Sequence, residues 1–519
     1  MGRINTNVQS LIAQRVLGQN QLGLSSSLER LSTGLRINSG KDDPAGLIAS
    51  NNLGAEIAGK NAAVSNANRA DQVVNIAAGG LTEVTGLLTQ LQGLVTSSSS
   101  GSGIAESEKQ ANQLQIDSIL QTIDRISTST SFQGIKLLNG NFDFKTSSVN
   151  TGVSDYKINA AKFSGSMNVD VLVTASAQQG GLFLSFGAST INTGGSQFTI
   201  EVGGSAGIRQ LTFSSSTSLN NIAAAINSFT SITGSKATVS GTGIRLDATD
   251  FGSANFSSVR VVKAGGLAPT NGGIYNLNSK NTALADTTSH TAFSAATNTI
   301  TDKGTDVSAT INGITATAVG KTARVSTDFL DVEVTLSDTQ AKTLGAVGGS
   351  NHAFSITGGG ASFQLGGNVD IAGKVSIGIQ SVASSNLGTQ ALGYLNSLAS
   401  GQGNNMVNGD TSQAQKIVSA ALTQVSALSG RLGAFQSNTI GSTVRSLGVA
   451  VENSTAAQSI IRDADFAAET AKLTRNQILV NASTNILGGS SHTPRIQECH
   501  IAVGHVVCDI IERTLFPKA

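Results

Sequence analysis

The sequence predicts an α+β multidomain chain whose N- and C-terminal helices pair as a coiled-coil rod or bundle, with a mostly antiparallel β region inserted between them. Two patterns predict this. Near both ends apolar residues recur at steps of three, four and seven, and through the middle they alternate with polar ones.

Leu17, Leu24, Leu28, Leu31 and Leu35 form the first helical stripe, Leu81, Val84, Leu88, Leu91 and Val95 the second, and Ile116, Ile119, Ile123 and Ile126 the third. Three helices are therefore expected before residue 130. The stretch NSGKDDPAG breaks the first from the second, with Asp43 suited to an N-cap and Pro44 to the first helical position. From about residue 180 to 390 the period is two. In LDVEVTL, Leu330, Val332, Val334 and Leu336 share one face, as a half-buried strand requires. Asn312-Gly313 between alternating runs suits a type I′ hairpin. Further strands are expected at Phe198 to Val202, Val239 to Leu246 and Val375 to Ile379. A short helix capped by Ser218 should carry Leu219, Ile222 and Ile226. Helical spacing returns in Ala421, Val425, Leu428, Leu432 and Phe435 and continues less cleanly toward Leu487. If the helical ends pack together, the β region is an outgrowth entered near 175 and left near 395. Long helices with sparse aliphatic contacts are weak independent folds, and such ends gain most of their order by packing on neighbouring molecules.

Composition narrows the function. The chain has 519 residues, 39% of them hydrophobic but only 4% aromatic, with 13% charged, 59 glycines and a formal net charge of +1. Cores can form, but no net field attracts nucleic acid or an anionic membrane. No apolar run reaches the 18 or so residues of a membrane span, and the first twenty residues lack the core of a cleaved secretory signal. The chain is expected to be cytosolic or to leave the cell without a cleaved signal.

The sequence holds no catalytic motif. Gly34 stands one residue too far from Gly40-Lys41 for a phosphate loop, and Asp42 and Asp43 follow where a hydroxyl is needed. His290 and His352 lie alone among Ser and Thr and read as solvated surface residues. Asp463 and Asp465, two apart, would point to different faces of a helix. No catalytic residue and no cofactor is expected.

The terminal stretches resemble one family. INTNVQSLIAQRVL, LERLSTGLRINSGKDDPAGLIASNNL and FQGIKLLNG at one end, and AAQSIIRDADFAAETAKLTRNQILVNASTNIL at the other, are similar to bacterial flagellin, the subunit of the flagellar filament. The resemblance implies a secreted, extracellular protein, exported unfolded by a type III apparatus without a cleaved signal peptide. It implies a homopolymer whose other partners are the filament cap, the hook-associated proteins and a flagellar export chaperone. It implies an inner-tube domain from 1–42 and 480–519, a helical rod with a small β part from 43–175 and 395–479, and a variable, surface-exposed β-rich region from 176–394. An insert common in flagellins and hook-associated proteins is expected at about 196–262. Subunit-interface candidates are Leu31, Arg36, Asn38, Asp42 and Asp43 in the first break, and Arg462, Asp463 and Asp465 in the second. Flagellins sensed by the animal Toll-like receptor carry arginines and a glutamate where this chain has Gln90, Gln92 and Gly93, with only Leu94 matching, so weak receptor activation is expected. Within the family the rival reading is the hook-filament junction protein; outside it, a secreted adhesin with an exposed Ser/Thr-rich β region.

After Leu487 the resemblance stops. The remaining stretch holds two of the chain's 4 prolines and both of its 2 cysteines. Cys499, His500, His505 and Cys508 are four candidate metal ligands, but Cys499 and His500 are adjacent, unlike the spaced pairs of structural zinc sites. The tail reads instead as a replaced C-terminus, with Val503, Val506, Val507, Ile510, Ile511 and Leu515 as a substitute helical stripe.

Overall fold

The computed structural model describes residues 8–100, 103, 105–267, 272–277, 285–349, 352–488 and 505. Their helices are α1 (Val8–Thr33), α2 (Pro44–Ser98), α3 (Glu106–Ser129), α4 (Leu219–Asn227), the short α5 (Thr230–Thr233) and α6 (Asp338–Lys342), α7 (Thr411–Ala434), α8 (Gly441–Arg462) and α9 (Phe466–Gly488). A π-helical turn, Phe435–Ile440, joins α7 to α8. The chain divides into one compact unit of residues 1–65, 366–368 and 442–519, and a second of 66–365 and 369–441. The substitute stripe expected in the tail lies outside the described residues.

In the first unit α1 runs beside α9, but not on the leucine stripe alone. Asn20 Nδ2 donates to Ser483 Oγ at 3.0 Å and Ser27 Oγ donates to Glu469 Oε1 at 2.9 Å. A Cβ on Gly23 would stand 3.1 Å from Asn476 Nδ2. Asn20, Gly23, Ser27 and Arg30 are spaced three and four apart, so they form their own stripe, and their small or polar side chains let α9 approach closely. Leu17, Leu24 and Leu31 are only half-buried, Leu28 is exposed, and Leu35 lies beyond the end of α1.

In the second unit the helical stripes are deeply buried. Leu81, Val84, Leu88 and Leu91 of α2 are 0% exposed, and Ala421, Val425, Leu428, Leu432 and Phe435 are all buried. On α3 the buried positions are Gln113, Ile116, Leu120, Ile123 and Ser127, so Ile119 and Ile126 flank the seam. Gln113 is buried because both ends of its amide are satisfied, Nε2 donating to Leu398 O at 2.9 Å and Oε1 accepting from Met406 N at 2.8 Å.

The β structure is antiparallel throughout the described strands, and strands before residue 176 pair with strands after it. Strand Val153–Ala161 pairs with Leu330–Leu336, and Val171–Ala175 pairs with Ser308–Ile311. Leu330, Val332, Val334 and Leu336 face inward as expected, in one core with Val169, Val173, Ile311 and Phe354. Asn312 and Gly313 both have positive φ, 50° and 79°, which is the type I′ geometry that only such a pair accepts easily. The second β core holds Leu182, Phe198, Ile200, Ile222 and Ile226, with α4 packed on it through the last two. Ser218 caps α4 by accepting from Asn221 N at 3.3 Å. The single strand expected from Val239 to Leu246 is instead a hairpin, Ser235–Ser240 against Gly243–Ala248, turning at Gly241 with φ 58°.

Candidate functional site

The two breaks that carry the interface candidates come together in the first unit. α1 ends at Gly34, whose φ of 72° is the left-handed geometry of a helix-terminating glycine, with Gly34 N donating to Arg30 O at 2.8 Å. The chain then pairs with the α8–α9 break. Leu35 bridges Asp463, Arg36 N donates to Arg462 O at 2.7 Å, and Ala464 N donates to Gly34 O at 3.0 Å. The Arg36 guanidinium donates to Ile461 O at 2.5 Å and to Ile460 O at 3.4 Å, so a cation sits on the last carbonyls of α8.

The acidic candidates are spent on backbone and hydroxyl donors of the same chain. Asp42 accepts from Ser39 N at 2.9 Å, Ser39 Oγ at 3.0 Å and Asn38 N at 3.2 Å, while Asn38 Nδ2 donates to Leu35 O at 3.2 Å. The Ser39 amide first, then its hydroxyl, hold the Asp42 carboxyl below the usual aspartate range. Asp43 caps α2, accepting from Gly46 N at 2.9 Å. Asp463 accepts from Ser459 Oγ at 2.6 Å, and Asp465 caps α9 by accepting from Ala467 N at 3.0 Å and Ala468 N at 3.1 Å. Asp463 and Asp465 thus lie in a break between helices rather than on two faces of one. Replacing Asp43 by Ala should cost about 1 kcal/mol, the usual worth of an N-cap, read as faster amide exchange in the first turn of α2 with later turns unchanged.

Sequence spacing missed the groups that join α1 to α9. Glu469 is 5% exposed and accepts from Ser27 and from Lys472 Nζ at 3.2 Å, with Arg30 Nη1 at 3.9 Å. The signal was present in the 20, 23, 27, 30 spacing, but its residues are polar and small rather than apolar.

Three family models match the chain: the bacterial flagellin N-terminal helical region over residues 4–143, the bacterial flagellin C-terminal helical region over 415–494, and the flagellin hook IN motif over 197–250. Salmonella typhimurium flagellin is 31% identical over 95% of this chain and 98% of its own length. Pseudomonas aeruginosa B-type flagellin is 30% identical over the same shares. The chain belongs to the bacterial flagellin family. A solved FliC structure from Burkholderia pseudomallei covers 71% of this chain and 99% of its own at 14% identity, with a TM-score of 0.22, too low to bear on the fold.

As a flagellin the chain is a structural subunit of the extracellular flagellar filament and not an enzyme. The hook-associated reading is not better supported than this one, and no described helix is long and apolar enough to cross a membrane. On α2 of this flagellin Gln90 and Gly93 are exposed, and Gln92 and Leu94 are half-buried. A Cβ on Gly93 would meet nothing within 4 Å. His505 is exposed, while Cys499, His500 and Cys508 lie outside the described residues. Among the described residues no three His, Cys, Asp or Glu side chains cluster as metal ligands. Both mid-chain histidines are exposed, as expected, though not without neighbours: His352 Nε2 meets Asn168 Nδ2 at 2.8 Å and its Nδ1 meets Asp170, while His290 stacks on Tyr275 at 4.8 Å.

Proposed function

We propose that this flagellin polymerises through the faces of α1, α8 and α9 and through the junction of Leu31, Arg36, Asn38, Asp42 and Asp43 with Arg462, Asp463 and Asp465. The observation that carries the reading is α8, a 22-residue helix with no buried residue. Its Ile460 is 80% exposed, and Leu22 of α1 and Phe466 of α9 are 74% and 69% exposed. Apolar helix faces left open in the single chain gain by burial against other copies, at about 25 cal/mol per Å². A heterologous contact that does not close yields a filament rather than a ring. In this reading residues 1–42 and 480–519 line an inner tube, 43–175 and 395–479 form the rod, and 176–394 face outward. α9 runs unbroken through the 479/480 division and strand pairing crosses the 175/176 one, so the divisions do not separate independently folding pieces.

The filament cap, the hook-associated proteins and an export chaperone are the other partners proposed, with export that needs no cleaved signal peptide. Electron microscopy of the purified chain after polymerisation tests the core of the reading: long helical filaments are expected, and globular or unpolymerised particles refute it.

The neutral patch at Gln90, Gln92 and Gly93 supports weak activation of the animal Toll-like receptor, because each missing charge-assisted hydrogen bond costs about 1.5–3 kcal/mol. In a reporter-cell assay the potency should fall well below that of Salmonella flagellin, and equal potency contradicts the expectation.

A further inference from the structure

We infer that the π turn Phe435–Ile440 is a phase corrector that sets which face of α8 is open to a second copy of this chain, with Val449 and Ile460 as the anchors of that face; the contact between copies rests on the polymerising reading above. The buried positions Ala421, Val425, Leu428, Leu432 and Phe435 step by four and three, but the next buried residue is Ile440, a step of five. In an α-helix five residues turn through about 500°, which would leave Ile440 about 140° away from Phe435. Here Gly441 N donates to Gln436 O, five residues back, and this π geometry returns Ile440 to the inner face. From Ile440 the steps of four and three resume through Val444, Leu447, Val451, Ser454, Gln458 and Ile461, all half-buried.

The turn thus absorbs one surplus residue. α2 meets the helix on both sides of it. In the second unit Gln436 Nε2 donates to Asn75 Oδ1 at 2.9 Å, and in the first Lys60 Nζ donates to Ser454 Oγ and Gln458 Nε2 to Ser50 O, both at 2.9 Å. With an α-helix in place of the turn, α8 would be rotated by about 100°. Thr443, Ser446 and Ala450 would then take the places of Val444, Leu447 and Val451, so the apolar gain on the inner face offsets the poorer hydrogen bonding of the π turn. The same correction holds Val449, 58% exposed, and Ile460, 80% exposed, on the opposite face. They stand about three turns apart and in line, with Asn453 and Ala456 exposed between them. An uninterrupted helix would carry Ile460 inward and Val449 to the side. Since α8 has no buried residue and the chain is a filament subunit, a second copy is the partner that takes these two side chains out of water.

The test compares the full chain with four variants, deletion of Ser437, an alanine inserted after Ser437, Val449→Ser and Ile460→Ser, by amide exchange of the monomer and by the critical concentration for polymerisation in sedimentation. Removing the exposed Ser437 leaves Ile440 four residues after Phe435, so an unbroken α-helix keeps the inner face. Protection in α8 should equal or exceed that of wild type, and the critical concentration should stay within about twofold. The inserted alanine adds a second surplus residue and turns α8 by about a further 100°. Protection in α8 should fall, and the critical concentration should rise by about tenfold or more. Val449→Ser and Ile460→Ser should each raise it about tenfold with protection unchanged. Loss of α8 protection on deletion of Ser437, or an insertion that behaves as wild type, overturns the role of the turn, and serine variants that polymerise like wild type overturn the docking face. A wild-type chain that forms no sedimenting polymer refutes the filament reading, while the exchange comparison of deletion with insertion still decides the role of the turn.

Discussion

Glu469→Ala should loosen α9 from α1, at a cost of about 3 kcal/mol near neutral pH. The carboxylate is 5% exposed and is the shared acceptor for Ser27 and Lys472, with Arg30 at 3.9 Å. Removing it leaves a buried hydroxyl and a nearby guanidinium without their acceptor. Amide exchange should report the loss in α1 and α9, with protection in the Leu330–Leu336 strand unchanged. Equal protection of α1 in variant and wild type refutes the assignment. Acid should act on the same group. Burial pushes the Glu469 carboxyl up, but the hydrogen bonds from Ser27 and Lys472 and the charges of Lys472 and Arg30 together outweigh it and hold the group below its ordinary value of 4.5. The folded state therefore binds this proton less readily than the unfolded chain. Its contribution is present above the ordinary value and is lost as pH falls through the depressed one. Protection of α1 should therefore drop in that acid window in wild type, and Glu469→Gln should lack that component.

What could be read from the sequence depended on whether a local pattern decides the contact. The Leu330–Leu336 alternation, the Asn312-Gly313 turn and the Ser218 cap are decided within a few residues, and all three stand as expected. The α1 seam is not. A stripe at steps of three and four names a face, but which of two adjacent stripes meets the partner depends on how closely it approaches, and Gly23 and Ser27 allow the closer approach. The strand misread between Val239 and Leu246 carried its own warning. Ala237 and Val239 are odd-numbered whereas Ile244 and Leu246 are even, and such a change of phase marks a turn. Strand Val153–Ala161 was missed because its partner is about 170 residues away and register shifts near Val332 and Leu336 spoil its alternation. At the junction the candidate residues were legible as a group, since caps and breaks have sequence signatures. Which partner each takes was not, because Arg36 meets the Ile461 and Arg462 carbonyls from the far end of the chain.

Val334→Asp should be the most damaging single change in the β region, costing more than about 4 kcal/mol. Val334 is 0% exposed, sits between Ala323 and Tyr156 on the paired strands, and shares a core with Leu330, Val332, Leu336 and Phe354. An aspartate there must either bury an unpaired charge or take up a proton, and the methyl contacts are lost in both cases. The adjacent Glu333 lies on the other face, in register with Arg324 and Lys157, so Glu333→Thr should cost less than about 1 kcal/mol. The Tyr156 and Phe354 rings lie tilted against each other with centroids 4.8 Å apart, and with no tryptophan and 3 tyrosines in the chain this core contributes part of the near-ultraviolet circular dichroism. Val334→Asp should lose that part of the signal at a temperature where wild type and Glu333→Thr retain it. Equal midpoints for the two variants would mean that the period of two does not set which face is buried. Because this core is built from strands at 153–175 and 308–356, its loss should also release the ends of the chain segments that enter and leave the β region, which limited proteolysis should detect as new cleavage between residues 140 and 180.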